Sequence, residues 1–444
     1  MAPGSPADEA EPQTAPWPWR PLAPRPEVAP TPGLYVHVPF CSAICPYCDF
    51  AVVRERPGES ERFVEAVLAE AASWPIAPEA PPFDTVYFGG GTPSALGFEQ
   101  LERLVVGLGR RLPIAPGAEW SLEANPEDVR GSETLAAWRD LGFAVLSLGV
   151  QSLDDATLRD LGRRHDRVAA LAAARLAAAT GFDRVSADLI YATGGRPLDS
   201  WREELREAAA LGIDHLSCYE LTYHRGTAVE RERRHGRRRR SVGPRLPAER
   251  EAGRGRRRML DEDARAEWFE ATHETLASQG FEAYEVSNFA TAPRHQARHN
   301  SKYWSHQPYL GLGPSAHSFD GAVRWSNVRS PRRWLERLQS RSVTGGRAAG
   351  GEDLPPAVAE LERLDLEQLL LEAVSLGLRT RAGLDLVSLR ERFAVDLLAA
   401  SGETVRRHRE AGLLELVGEP GRPWLRASLR GWLVSESLTL DLVP

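Results

Sequence analysis

Between residues 33 and 219 short β-rich runs alternate with helical stretches, and this alternation limits the available folds more than any other feature of the chain. Strand-like runs occupy 33–38, 85–88, 120–123, 145–148, 184–190 and 215–219, while helical periodicity fills 63–74, 100–112, 132–141, 168–180 and 201–211. Strands separated by single helices imply right-handed crossovers and a parallel sheet. The fold class is therefore α/β, and a partial, TIM-like (β/α)6 barrel fits best. A doubly wound open sheet is the alternative that periodicity alone does not separate.

The flanks differ in kind. Residues 1–32 hold ten prolines and no hydrophobic period, so a disordered tail is expected there. Residues 231–258 carry thirteen Arg against three Glu inside a chain of formal net charge −7, which leaves about −17 on the remainder. That run reads as a solvated, disordered insertion in a core domain spanning 33–340. Were it functional, it would meet anionic lipid or an acidic partner through contacts that salt weakens. Helix resumes at 264–279, and 340–357 reads as a linker. A small terminal domain over 355–444 follows, with helices at 361–375, 385–393 and 402–411 and strands at 414–417 and 424–427, an order similar to a winged helix. Glu360, Glu362, Asp365, Glu367 and Glu372 on its first helix are unfavourable beside phosphate, and Arg406, Arg407 and Arg409 are its only dense basic group. No nucleic-acid partner is expected. No apolar run reaches the roughly 20 residues of a membrane helix, and no secretory signal opens the chain, so a cytoplasmic location is expected.

Three of the four cysteines, Cys41, Cys45 and Cys48, crowd into the loop leaving the first strand as C-x3-C-x2-C. Thiolates bind iron–sulfur clusters well, and three of them can hold three irons of a 4Fe–4S cubane while leaving the fourth open. The amine and carboxylate of S-adenosylmethionine can occupy that open iron. The alternative is a structural zinc site completed by a histidine such as His37, although no second cysteine knuckle is present. Cys218, alone in an apolar strand, reads as a buried small hydrophobe. Gly89-Gly90-Gly91-Thr92-Pro93 follows the second strand, where adjacent glycines let the backbone approach a ligand without Cβ interference. Glu123, Gln151 and Asp188 fall at later strand ends on the same predicted rim, where acids suit ribose hydroxyls.

Tyr35-Val36-His37-Val38-Pro39-Phe40-Cys41, the cysteine triad and Gly-Gly-Gly-Thr-Pro together resemble the oxygen-independent coproporphyrinogen III oxidase group of radical SAM proteins over residues 33–330. The resemblance implies a radical SAM barrel, a cluster on Cys41, Cys45 and Cys48, and S-adenosylmethionine contacted by Tyr35, Gly90, Gly91, Thr92, Glu123, Gln151, Arg163 and Asp188. Arg163 is preferred to Arg164 for its spacing from Gln151. The oxidase branch has a further cysteine two positions after the third, where this chain has Phe50. Cys48-Asp49-Phe50, Tyr284-Glu285-Val286-Ser287-Asn288-Phe289, His299-Asn300-Ser301-Lys302-Tyr303-Trp304 and 311–317 resemble instead the heme-chaperone branch. That likeness implies heme as a ligand, His299 as a ligand to its iron, and heme-accepting partners, membrane-associated ones among them, which would place the chain peripherally at the membrane. It leaves open whether any turnover reaction occurs. One departure is the strand exit Tyr191-Ala192-Thr193-Gly194, where relatives have Gly-Leu-Pro after the tyrosine.

Overall fold

Every second residue of the central strands is apolar and packs outward: Leu34, Val36 and Val38 on the first, Val185, Ala187 and Leu189 on the fifth, all in the main core. This period-two pattern commits one face of each strand to the covering helices. The computed structural model describes residues 31–231, 260–339, 355–419 and 421–444. The expected tail up to residue 30, most of the arginine-rich insertion and the linker up to 354 lie outside the described residues.

The six strands are β1 (Gly33–Val38), β2 (Phe83–Gly90), β3 (Ile114–Ala124), β4 (Phe143–Gln151), β5 (Arg184–Tyr191) and β6 (His215–Glu220). Each pairs in parallel with the next. An unbroken 1-to-6 progression with right-handed crossovers puts every helix on one face and curls the sheet, whereas a doubly wound sheet needs a reversal of strand order. The barrel reading therefore holds and the open-sheet alternative falls. The helices are α1 (Glu59–Ser73), α2 (Phe98–Arg111), α3 (Ser132–Asp140), α4 (Asp155–Asp160), α5 (Arg167–Thr180) and α6 (Leu198–Ala209). In α6 the buried residues Trp201, Glu204, Leu205 and Ala208 recur at i, i+3, i+4 and i+7, one face of a helix. Buried Glu204 accepts hydrogen bonds from Ser152 Oγ at 2.8 Å and from Arg196, so its charge is paired.

Six further strands extend the sheet: β7 (Glu282–Ala283), β8 (Asn288–Ala290), β9 (Tyr309–Leu312), β10 (His317–Phe319), β11 (Val323–Asn327) and β12 (Val358–Arg363). Among the described residues the order is β12-β11-β10-β9-β1-β2-β3-β4-β5-β6-β8-β7. β9 runs parallel to β1, and the outer strands pair antiparallel. The helix expected from 361 thus starts later: Val358–Arg363 is an edge strand with Leu361 opposite Trp325, and Asp365 then caps the helix Leu366–Leu378 in a capping box with Gln368. The terminal unit begins there rather than at 355. It continues with helices Leu386–Phe393 and Leu397–Glu410 and the hairpin Leu414–Glu419 and Arg422–Ala427, joined by Leu384–Asp385 in a three-stranded sheet. Glu372 of its first helix accepts from Arg324 and pairs with His306 at 3.1 Å, so this acid docks the unit on the barrel. Among the described residues no helix is long and apolar enough to cross a membrane.

Candidate functional site

The inward faces of the same strands are polar. Glu123 lies beside Ser147, Ser147 beside Ser186, and Asp188 beside Ser217 in register. Parallel strands covered on both sides are ordinarily apolar throughout, so a polar inner face marks a ligand chamber. A cavity of about 540 Å³ runs through the strand interior to their C-terminal ends, within the usual range for a cofactor pocket. Its wall includes Cys41, Cys45, Cys48, Gly91, Glu123 and Asp188.

The cysteine loop closes over this chamber because the glycine triplet lets it. A Cβ on Gly91 would stand 2.7 Å from the Phe40 carbonyl oxygen and 3.0 Å from Cys41 Sγ. Gly90 has a φ of +110° and faces the His37 ring at a distance no side chain tolerates. A chain of hydrogen bonds then joins two of the three sulfurs. Thr92 Oγ1 donates to Cys41 Sγ at 3.7 Å, and Asn125 Nδ2 donates to Thr92 Oγ1 at 3.1 Å. Arg163 donates from Nη2 to Asn125 Oδ1 and from Nη1 to Cys45 Sγ at 3.5 Å. Burial, with the other sulfurs adding to it, pushes the Cys41 thiol up to about 11 against the Thr92 bond and the Arg163 charge.

The donor set suits a cluster better than zinc. Both ring nitrogens of His37 are engaged, Nδ1 with the Tyr35 hydroxyl and Nε2 with the Ala51 carbonyl, each at 3.1 Å, so His37 is not offered to the cysteines. Among the described residues no three His, Cys, Asp or Glu side chains converge as a mononuclear site requires, whereas a cubane takes its thiolates at separate corners. Arg163 Nε is buried without a partner, a cation held at the wall of the chamber.

Two carboxylates face the chamber. Glu123 accepts from Tyr87 Oη at 2.7 Å and from Gly90 N at 3.1 Å. Desolvation inside the barrel outweighs the Tyr87 bond and, helped by the Asp188 charge, raises Glu123 to about 7. Desolvation likewise raises Asp188 to about 6 against hydrogen bonds from Ser217 and Ser147. Both acids are poised for a ligand that brings cationic or hydroxyl donors. Gln151, at the end of β4, has a φ of +67°, a conformation rare outside glycine and typical of side chains aimed by a site.

The chain matches the Radical SAM superfamily over residues 35–219 and the HemN C-terminal domain over 364–434. It is 37% identical over 386 residues to the heme chaperone HemW of Mycobacterium tuberculosis, covering 85% of this chain and 90% of the relative. The chain belongs to the HemW family. The Escherichia coli heme chaperone HemW is 32% identical, with 73% of this chain and 80% of the relative covered. The solved coproporphyrinogen III oxidase HemN of Escherichia coli, a radical SAM enzyme, superposes with a TM-score of 0.72 at 20% identity over 93% of this chain and 90% of its own, which shows the shared fold.

Within this HemW-family barrel the residues named from sequence fall into two places. Gly90, Gly91, Thr92, Glu123, Gln151, Arg163 and Asp188 stand together on the cavity wall with the three cysteines. Arg163, not the exposed Arg164, reaches Cys45 Sγ. Tyr35 stands back from the wall, stacked on Tyr87 with ring centroids 6.2 Å apart. His299 is placed elsewhere. It lies on the helix α8 (Arg298–Trp304; α7 being Glu262–Ser278), over Gly33 and Thr85 near the N-terminal ends of β1 and β2, and is 2% exposed. Its Nδ1 pairs with Thr85 Oγ1 at 2.9 Å and its Nε2 with Tyr303 Oη at 2.8 Å. Burial drives its pKa down to about 3. With both nitrogens bonded within the fold, His299 serves packing here, and ligation of a heme iron would have to break one of these two bonds. Sequence reasoning missed Asn125, Tyr87, Ser147 and Ser217. Only Asn125, two residues past Glu123, carried a positional hint.

Proposed function

We propose that this protein holds a 4Fe–4S cluster on Cys41, Cys45 and Cys48, binds S-adenosylmethionine in the chamber, and binds heme for delivery to heme-accepting proteins, membrane-associated ones included. The observation that carries the cofactor part is the bond chain Thr92–Asn125–Arg163 linking Cys41 to Cys45 on the wall of an otherwise polar chamber. When bound and reduced, the cluster supplies one electron to the sulfonium of S-adenosylmethionine. The residues do the rest. Gly90 and Gly91 let the backbone approach the methionine end, Glu123 and Asp188 accept from amine and ribose donors, and Gln151 and Arg163 fix the opposite wall. Tyr35 supports the wall from behind through Tyr87.

For the heme role, the supporting observations are the family relationship and Phe50, which stands 63% exposed where the oxidase branch has its further cysteine. The test is anaerobic cluster reconstitution followed by heme titration, S-adenosylmethionine cleavage and coproporphyrinogen decarboxylation in parallel. Heme binding with no decarboxylation is expected. Decarboxylation without heme binding returns the chain to the oxidase reading. Replacing Cys41, Cys45 or Cys48 by Ala should abolish the cluster absorbance near roughly 400 nm, while Cys218→Ala, buried in the outward core of β6, should keep it.

A further inference from the structure

The outer wall of the chamber carries an imidazole that the cluster and S-adenosylmethionine roles leave unused. His224 lies just past the end of β6, its side chain 48% exposed, and lines the cavity beside the cysteine loop. Its Nδ1 is 3.3 Å from Asp49 Oδ2. Among the described residues no hydrogen bond reaches its Nε2. Asp49 is fixed in turn: its backbone oxygen accepts from Arg329 Nη2 at 2.5 Å. A carboxylate beside one ring nitrogen favours the tautomer with its proton there and leaves the other lone pair available. This is the arrangement that metal-bound histidines use.

The surroundings suit a flat apolar macrocycle with anionic edges. Ile44 and Phe50, on the same loop and lining the same cavity, are 47% and 63% exposed. Large apolar side chains exposed together at a cavity rim mark a binding surface. The exposed Arg164 of that rim supplies a guanidinium for carboxylates. Resting on the heme reading above, we propose that His224 Nε2 is an axial ligand to heme iron, with the porphyrin lying on Ile44 and Phe50 across the cysteine loop. One protein ligand on an open rim also fits a carrier. The bound group stays reachable by an acceptor, and release breaks a single coordinate bond.

The test uses the full-length, cluster-reconstituted protein titrated with hemin, read by absorption, EPR and the iron–histidine vibration of the ferrous form. The parent should show histidine ligation. His224→Ala should lose that vibration and weaken binding on the order of 10- to 100-fold, the scale expected when a metal site's ligand shell is damaged. Added imidazole should restore the ligand signature. Asp49→Asn should shift the vibration to lower frequency, and His317→Ala, at another exposed histidine, should change nothing. Iron and sulfide content equal to the parent shows that each variant is folded. A His224→Ala protein with parental spectrum and affinity overturns the ligand assignment and leaves the heme-binding reading standing. Loss of the signature in His317→Ala moves the ligand there and overturns it too. A parent that takes up no hemin overturns both.

Discussion

Asn125→Asp changes one NH2 group to an oxygen and so isolates the bond chain that joins Cys41 to Cys45. In the parent, Thr92 Oγ1 accepts from Asn125 Nδ2 at 3.1 Å, which frees its single proton for Cys41 Sγ at 3.7 Å. An aspartate there has no donor and is the stronger acceptor, so the Thr92 proton turns to it and the sulfur loses its bond. Hydrogen bonds to sulfur favour the reduced, more negative cluster. A bond worth about 1 kcal/mol corresponds to about 40 mV for one electron, and a long O–H···S contact sets this as the upper limit. Loss of this bond alone should lower the midpoint potential of reconstituted protein, followed by EPR in a redox titration, by up to about 40 mV. Fold stability should not fall, because Arg163 gains a carboxylate in place of a carbonyl. The new charge also lowers the potential, so Thr92→Val is the control: it removes the donor without adding charge. If Thr92→Val leaves the potential of the parent, the hydrogen-bond reasoning is refuted, whatever Asn125→Asp does.

Three other outcomes follow from the same geometry. Glu123 and Asp188 have folded values raised to about 7 and about 6. Their favourable contribution is complete below the ordinary carboxylate range and is lost as pH rises through 6 and 7. The stability difference between the cofactor-free parent and a Glu123→Gln, Asp188→Asn variant should therefore grow as pH falls from 8 to 5.5, whereas the buried His37, His215, His273 and His299, lowered by burial, act the other way in both proteins; a difference that does not change with pH contradicts the assignment. His299→Ala should cost about 3 kcal/mol in denaturant unfolding, from two buried hydrogen bonds and the stack on Tyr87, while hemin affinity per folded molecule stays that of the parent. Ala192 occupies the left-handed region, φ +57°, which glycine adopts without strain, so Ala192→Gly should raise stability by about 1 kcal/mol, and a lower thermal midpoint would count against the strain.

The parts of this fold that are legible in sequence are those fixed by a local pattern. β1 to β6 alternate an apolar, helix-facing residue with an inward one, and that period survives without knowing the neighbours. β9 to β11 are short and take their partners from across the sheet, so their residues look like loop. Residues 361–363 read as the start of a helix because Leu361 continues the spacing of Leu369 and Leu370; only pairing with β11 makes them the end of a strand. The site divides in the same way. C-x3-C-x2-C declares itself within eight residues, but Thr92, Asn125 and Arg163 meet because β2, β3 and β4 end side by side, and no short window contains all three. The surroundings of His299 are hidden for a related reason: its block places it on α8 above Tyr303, and Thr85, 214 positions away, takes its second nitrogen.

The placement of His299 also completes an aromatic layer beside the chamber. Tyr35 and Tyr87 stack, Tyr87 stacks on His299 at 5.3 Å, and His299 meets Tyr303 at 5.2 Å. This aromatic layer closes the barrel toward the N-terminal ends of β1 and β2 and ties its members by hydrogen bonds, so opening it would strip paired polar groups of their partners. The opposite end of the chamber lies beneath the loop that carries the cysteines, Asp49 and Phe50. Ligating three thiolates of that loop restricts its backbone, and the same backbone sets Asp49 against His224 and exposes Ile44 and Phe50. Cluster assembly and the outer rim are thus properties of one segment. Any occupant of the rim must sense whether the cluster is present, and hemin affinity measured before and after iron removal should differ even with His224 unchanged.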